Sequence, residues 1–227
     1  MNPVLIRLRH LALLPVLLCL PLAIQGQTAK DLFLQLPDSL CPLLTSNNRA
    51  DCIDFLESKM RAVVTNRLGG SSEMTQLTSD YIRLRLTAQS SWEMKVLPAP
   101  DSTVVICVVQ TVYGSAADSR LTMYSPDWNP LPTSRFFTAP TFDDLLRRPT
   151  AEDDVAALEA YRTADLTLLR LALSPQDTGL EVHLSTLDYM ELEKAERLKP
   201  FLNSPLRYRW TGQRFEPMDT ASVNVTP

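Results

Sequence analysis

The spacing of hydrophobic and polar residues changes several times along this 227-residue chain, and each change predicts a different element. Leu11 to Ile24 is an apolar run of 14 residues, behind a basic start of Arg7, Arg9 and His10 and ahead of the small Gly26. A bilayer needs roughly 20 apolar residues to be spanned. A charged start, a short apolar stretch and a small residue instead make a secretory signal peptide, residues 1–26. Cys19 lies inside the run, but Leu17 and Leu18 stand where a lipid-attachment site has a small residue. The expectation is an exported mature chain without a transmembrane span.

Beyond Gln27, Pro37 and Pro42 interrupt any early helix. Asn47 or Asn48 then supplies an N-cap, and Cys52, Ile53, Leu56, Met60, Val63, Val64 and Leu68 recur at helical spacing. Gly69-Gly70 has the form of a C-cap, so one long helix is predicted up to Leu68. Period two follows. Ile82, Leu84 and Leu86 alternate with Arg83 and Arg85, and Trp92, Met94 and Val96 with Glu93 and Lys95. These read as strands with one buried and one wet face. Residues 103–112 are apolar on both faces and predict a central strand; Arg120 to Tyr124 continues the meander to a turn at Asp127-Trp128-Asn129-Pro130.

The second half echoes the first. A helix is predicted over 151–162, capped through Thr150 and Asp153, then strands at 165–173 and 179–187 joined by Gln176–Gly179. A short helix at 191–198 precedes a strand of Leu206, Tyr208 and Trp210 alternating with Arg207 and Arg209, which turns at Thr211-Gly212-Gln213 into Phe215. The fold class is therefore α+β: antiparallel sheet with helices on one face, residues 27–218 forming one globular domain. Its halves, 27–140 and 141–218, are weakly similar and would join side by side into one extended sheet. The polar tail 219–227 has no periodic pattern and is expected to be disordered.

Composition narrows the function. Without Arg7 and Arg9 the 22 basic residues become 20 against 26 acids, a net charge of −6. A diffusely negative surface attracts neither nucleic acid nor an anionic membrane, so no nucleic-acid partner is expected. The mature chain keeps Cys41, Cys52 and Cys107. Cys41 and Cys52 are close enough in sequence for a disulfide, and three reduced, buried thiols are the alternative. His183 is the only histidine after residue 26, placed on the polar side of a strand with Glu181 and Ser185. No G-x-S-x-G elbow and no closely spaced glycines for a phosphate loop occur. No catalytic residue, metal site or cofactor is expected. Carboxylates are the remaining route to catalysis: Asp51, Asp54 and Glu57 share a helical face beside Arg49 and Arg61. Acids early in a helix also favour its dipole, and Glu57–Arg61 has i, i+4 ion-pair spacing.

The segment from Leu36 to Phe55 (LPDSLCPLLTSNNRADCIDF), together with Met94–Pro98 and Asp118-Ser119, resembles an uncharacterised family of exported Bacteroidota proteins known only as a domain of unknown function. The resemblance covers essentially the whole mature chain and implies a Gram-negative export route, to the periplasm. It implies no activity, ligand or catalytic residue. The layout is also distantly similar to the helix-plus-strands repeats of PepSY-like and β-lactamase-inhibitor-type periplasmic proteins.

One feature leans towards binding. Arg83, Arg85, Arg207 and Arg209 alternate along two strands, with Tyr81, Trp92, Tyr208 and Trp210 nearby in sequence. If those strands are neighbours, their outer faces form a basic strip, and arginine and aromatics are enriched at interface hot spots. Pairing with acids such as Glu93 and Glu216 would neutralise it. The expected function is a non-enzymatic binding or interaction module of the envelope, through Arg83, Arg85, Arg207, Arg209 and Trp210. Its partner is an envelope protein, peptide or glycan. The alternatives are a carboxylate-dependent hydrolase using Asp51 and Asp54, and a structural envelope component.

Overall fold

The computed structural model describes residues 27–101, 103–203 and 205–218. The predicted leader, 1–26, and tail, 219–227, lie outside the described residues. Helices α1 (Ala29–Leu34) and α2 (Ser46–Glu57) each begin with a capping box, Thr28 with Asp31 and Thr45 with Asn48. Each box satisfies two backbone N–H groups that the first turn leaves without partners. Arg49, 2% exposed, ties down the proline-broken segment before α2. Its guanidinium donates to the carbonyls of Leu36 (2.6 Å) and Leu44 (3.0 Å) and to Asp38 (2.9 Å).

The long helix predicted up to Leu68 is not formed, and its N-cap is Thr45 rather than Asn47 or Asn48. The chain leaves α2 at Glu57, Lys59 takes φ 58°, and Ala62–Thr65 form strand β1. Val63 and Val64 are β-branched, which costs rotamer freedom in a helix and suits a pleated strand. Val64 fits either period, following Met60 and preceding Leu68 at helical spacing and following Ala62 at strand spacing. Gly69 and Gly70 belong to the β1–β2 turn and not to a helix cap: Gly69 has φ 77°, and Asn66 N–H donates to Gly70 O at 2.8 Å.

From β1 the chain runs as a meander through β2 (Ser71–Leu77), β3 (Tyr81–Thr87), β4 (Ser90–Pro98), β5 (Val104–Tyr113), β6 (Ala117–Tyr124) and β7 (Pro130–Leu131). Among the described residues these form one antiparallel sheet in sequence order. One face carries Ile82, Leu84, Trp92, Met94, Ile106 and Val108 and packs under α1 and α2. Phe33 of α1 meets Trp92 with ring centroids 5.7 Å apart. Trp128, in the predicted turn and at φ 62°, closes this layer by donating its indole N–H to Leu32 O at 3.0 Å.

The second half contains α3 (Phe142–Leu145), α4 (Val155–Arg162), β8 (Leu169–Leu173), β9 (Gly179–Leu184), α5 (Thr186–Tyr189), α6 (Leu192–Leu198), β10 (Leu206–Trp210) and β11 (Phe215–Pro217). Its four strands form a second antiparallel sheet, ordered β11-β10-β9-β8. The class is α+β with antiparallel sheet, as the pattern predicts, but the halves do not join into one extended sheet. The small sheet packs against the other face of the large one. Cys107, Val109, Leu121 and Met123 share a core there with Leu171, Leu180, Val182 and Tyr208. Strand β4 is thereby covered on both sides. Glu93 is 3% and Lys95 0% exposed, although their alternation predicts a wet face.

Cys41, Cys52 and Cys107 are free, buried thiols, so Cys41 and Cys52 form no disulfide here. Burial pushes the Cys41 and Cys52 thiols up to about 11 and raises that of Cys107 further. Since the thiolate is the reactive form, iodoacetamide at pH 8 is expected to leave all three unmodified in the folded protein. All three should react in denaturant, as read by intact-mass spectrometry; a 41–52 bridge would appear as two thiols that react only after reduction.

Helix α4 starts at Val155, later than predicted, because Asp154 is its N-cap while Asp153 serves the preceding turn. Arg147 and the Thr150 hydroxyl and N–H hold the Asp153 carboxyl down to about 2. Thr28 lowers Asp31, Thr141 lowers Asp144, and Arg61 with Arg85 lowers Glu73. A lowered folded-state value contributes stability that is present above the unfolded value and lost as pH falls through the folded one. Thermal stability is therefore expected to fall steadily below about pH 4, and Asp153→Asn should flatten the part of that profile between 3.8 and about 2. Melting curves across that range test it.

Candidate functional site

The candidate site is created by the way the small sheet meets the large one. An edge strand presents unpaired N–H groups. On β8 those of Leu169, Leu171 and Leu173 are accepted by side chains of the large sheet: Asp118 Oδ1 (3.3 Å), Ser119 Oγ (3.0 Å) and Glu93 Oε2 (2.9 Å). These three bonds hold β8 against β4 and β6. The large-sheet face beyond β4 then meets the outer face of the small sheet at an inside corner.

A cleft of about 510 Å³ fills that corner. Arg83 of β3 lines it from the large sheet, and Arg207 of β10 and Glu181 of β9 from the small one. The Ser174–Asp177 turn rims it, and Leu173, Leu180 and Tyr208 supply apolar wall. Arg83 also lines an adjoining cleft of about 290 Å³ with Arg85, Thr75, Ser91 and Tyr113. Arg207, Arg83 and Arg85 thus line one trough.

The trough is charged but internally paired. Arg207 Nε is 3.0 Å from Glu181 Oε1, Arg83 Nε 3.6 Å from Glu93 Oε1, and Arg85 pairs with Glu73. Glu93 is the buried member of this set, and burial raises its carboxyl above the ordinary value. Beside it Lys95 is enclosed, its Nζ 2.8 Å from Asp80 Oδ2 and 5.7 Å from the centre of the Tyr81 ring. Tyr81 and Lys95 are cross-strand partners, as are Arg83 and Glu93. Two neighbouring rungs of the sheet therefore carry four polar side chains, of which Arg83 reaches the cleft and the other three are buried behind it. Half-buried His183 sits next to the Arg207–Glu181 pair, its Nε2 3.4 Å from Glu181 Oε2. Burial and the neighbouring Arg170 lower its pKa.

The predicted binding residues are therefore divided. Strands β3 and β10 belong to different sheets and do not neighbour each other, so no continuous four-arginine strip exists. Arg83, Arg85 and Arg207 share the trough; Arg209 is exposed on β10 opposite Glu216 and lines neither cleft. Trp210 points to the opposite side of its strand from Arg209 and is 6% exposed in the core. Glu93 was visible in the sequence as a surface partner for an arginine, but its burial follows only from the packing of β8.

The carboxylates of α2 do not converge. Asp51 and Asp54 are exposed and line none of the clefts described. Glu57 pairs with Lys30 at 2.6 Å, not with Arg61, which instead binds Glu73 at 2.7 Å. Once α2 ends at Glu57, Arg61 is no longer one helical turn away. Among the described residues no three His, Cys, Asp or Glu side chains are grouped to hold a metal ion, and no helix is long and apolar enough to cross a membrane.

Two comparisons bear on this architecture. The family model described as "Protein of unknown function (DUF3256)" matches residues 21–215. A solved structure described as a domain of an uncharacterized protein from Porphyromonas gingivalis W83, a member of the Bacteroidota, is similar with 28% identity and a TM-score of 0.73. The match covers 85% of this chain and 100% of that one. No curated protein matches. The family model bears out the resemblance to a domain of unknown function and the solved structure its Bacteroidota link; neither match is to a PepSY-like or β-lactamase-inhibitor-type protein.

Proposed function

We propose that this chain, which belongs to the DUF3256 family of proteins of unknown function, is an exported, non-enzymatic binding module that holds its partner in the trough between its two sheets. The observation that carries this reading is the convergence of Arg83 from the large sheet and Arg207 from the small one on a single cleft of about 510 Å³. That volume falls in the range of ligand sites, roughly 300–1,000 Å³. Paired guanidinium and carboxylate groups along both walls offer donors and acceptors together, which suits a polar partner such as a peptide or glycan. Export, to the periplasm of a Gram-negative cell, is supported by the composition of residues 1–26. Asp51 and Asp54 are exposed away from the trough, so no observation favours the hydrolase reading over this one.

The test is affinity capture of the tagged protein from its native envelope, followed by mass spectrometry, with Arg83→Ala/Arg207→Ala run in parallel. A partner recovered by the parent and lost by the variant, both folded by circular dichroism, is the expected result. Recovery of the parent alone, or a partner retained equally by the variant, would sink the trough as the binding face.

A further inference from the structure

A second cleft, of about 590 Å³, lies away from the trough. Trp210 and Phe136 form its floor, stacked with ring centroids 6.1 Å apart and an interplanar angle of 23°. Trp210 is fixed there by its indole N–H, which donates to Pro98 O at 2.7 Å. The side walls are apolar at Val105 and Leu131.

Two guanidiniums stand at this cleft, and neither has a carboxylate within ion-pair distance among the described residues. Arg135 lies over the Phe136 ring, 5.6 Å from its centre, at the end of a short helical turn. Arg214 donates to the Thr138 hydroxyl at 3.2 Å and projects from the β10–β11 hairpin. Hydrogen bonds between Thr211 and Arg214 close that hairpin, with Gly212 at φ 93°. The one carboxylate lining the cleft, Asp101, is engaged by the Thr103 hydroxyl at 2.5 Å. In the trough every lining arginine has its acid; here two arginines have none among the described residues, on a protein whose net charge is −4.

We propose that this cleft is a second binding site, for a peptide carboxylate carried beside an apolar side chain. The two guanidiniums take the carboxylate through charge-assisted hydrogen bonds, the type of contact for which arginine's donor geometry is best suited. The apolar side chain lies against Val105, Leu131 and Phe136. Trp210 and Phe136 are 6% and 7% exposed, so neither presents an open ring face on which a sugar could stack. The site goes beyond the trough reading and does not depend on it.

The probes are N-acetyl-leucine and N-acetyl-leucinamide, titrated at millimolar concentration into the ¹⁵N-labelled protein and followed by NMR. The acid is expected to shift the Trp210 indole N–H and the Gly212 amide, and the amide to bind at least tenfold more weakly. Arg135→Met/Arg214→Met, which keeps the aliphatic stems, should weaken the acid by at least tenfold, the scale of one lost charge-assisted bond. Arg83→Ala/Arg207→Ala should leave it unchanged, which separates failure of this site from failure of the trough. Equal binding of acid and amide overturns the proposal. So does the absence of shifts at Trp210 and Gly212, or shifts centred on Arg83 and Arg207.

Discussion

Replacing Glu93 with alanine is expected to lower the unfolding free energy by about 3 kcal/mol, the sum of an orphaned buried donor and a small cavity. Glu93 is 3% exposed, accepts the Leu173 N–H at 2.9 Å and faces Arg83. Without it Leu173 has no acceptor at the foot of β8, and the seam between the sheets loses one of its three bonds. Glu93→Gln keeps a carbonyl oxygen in place and should cost about 1 kcal/mol. Urea denaturation measures both, with the slope expected to stay constant. Hydrogen exchange at the Leu173 amide should accelerate in the alanine variant alone. The carboxyl also has a pH signature. Its value is raised by burial, so the stability its protonation contributes is full below 4.5 and lost as pH rises through the folded value. Glu93→Gln should abolish that component, which runs opposite in sign to the acid loss caused by Asp153. An alanine variant as stable as the parent would show that β8 is held by its apolar contacts alone.

Trp210→Ala is expected to cost more, about 4 kcal/mol, in the range for deleting a buried aromatic. The ring stacks on Phe136 and meets Phe215 edge-on at 5.2 Å, while its N–H reaches Pro98 across 112 residues of sequence. It is therefore a bolt between the end of β4 and the small sheet. Trp210→Phe restores much of the apolar contact but leaves the Pro98 carbonyl without its donor, and about 2 kcal/mol of loss is expected. The same denaturation experiment separates the two variants. A Trp210→Ala protein of parental stability would return the residue to the role its sequence position predicts, a surface contact for a partner.

The two variants mark where sequence pattern stops being informative. Alternation in Ile82–Leu86 and in Leu206–Trp210 identifies strands and their two faces, because side chains on a strand point to opposite sides whatever lies beyond them. What covers each face is a separate matter. Glu93 and Lys95 alternate with apolar residues in the manner of a wet face, yet the second sheet covers them and supplies the Leu173 N–H to Glu93, while Arg83 of β3 and Asp80 just before that strand are their ion partners. Trp210 and Arg209 are adjacent in sequence and face opposite ways, so grouping them by proximity placed a core residue in a binding strip. The predicted extension of α2 to Leu68 failed for another reason: Val64 satisfies the helical series Met60, Val64, Leu68 as well as the strand series Ala62, Val64, and only pairing with β2 decides between them.

The local pattern alone therefore determined the class of fold, most strands, the Trp128 turn and the Gln176–Gly179 turn, all properties of neighbouring residues and their backbone preferences. It also pointed to the arginines of β3 and β10 as candidates. Only the tertiary structure decided that these lie on different sheets, that three of them share one trough, and that Arg135 and Arg214 stand at an aromatic-floored cleft with no carboxylate partner among the described residues. Such contacts join residues up to 112 positions apart. They are chosen by which apolar faces bury each other, a preference that depends on the whole surface of each layer and leaves no signature at any single position.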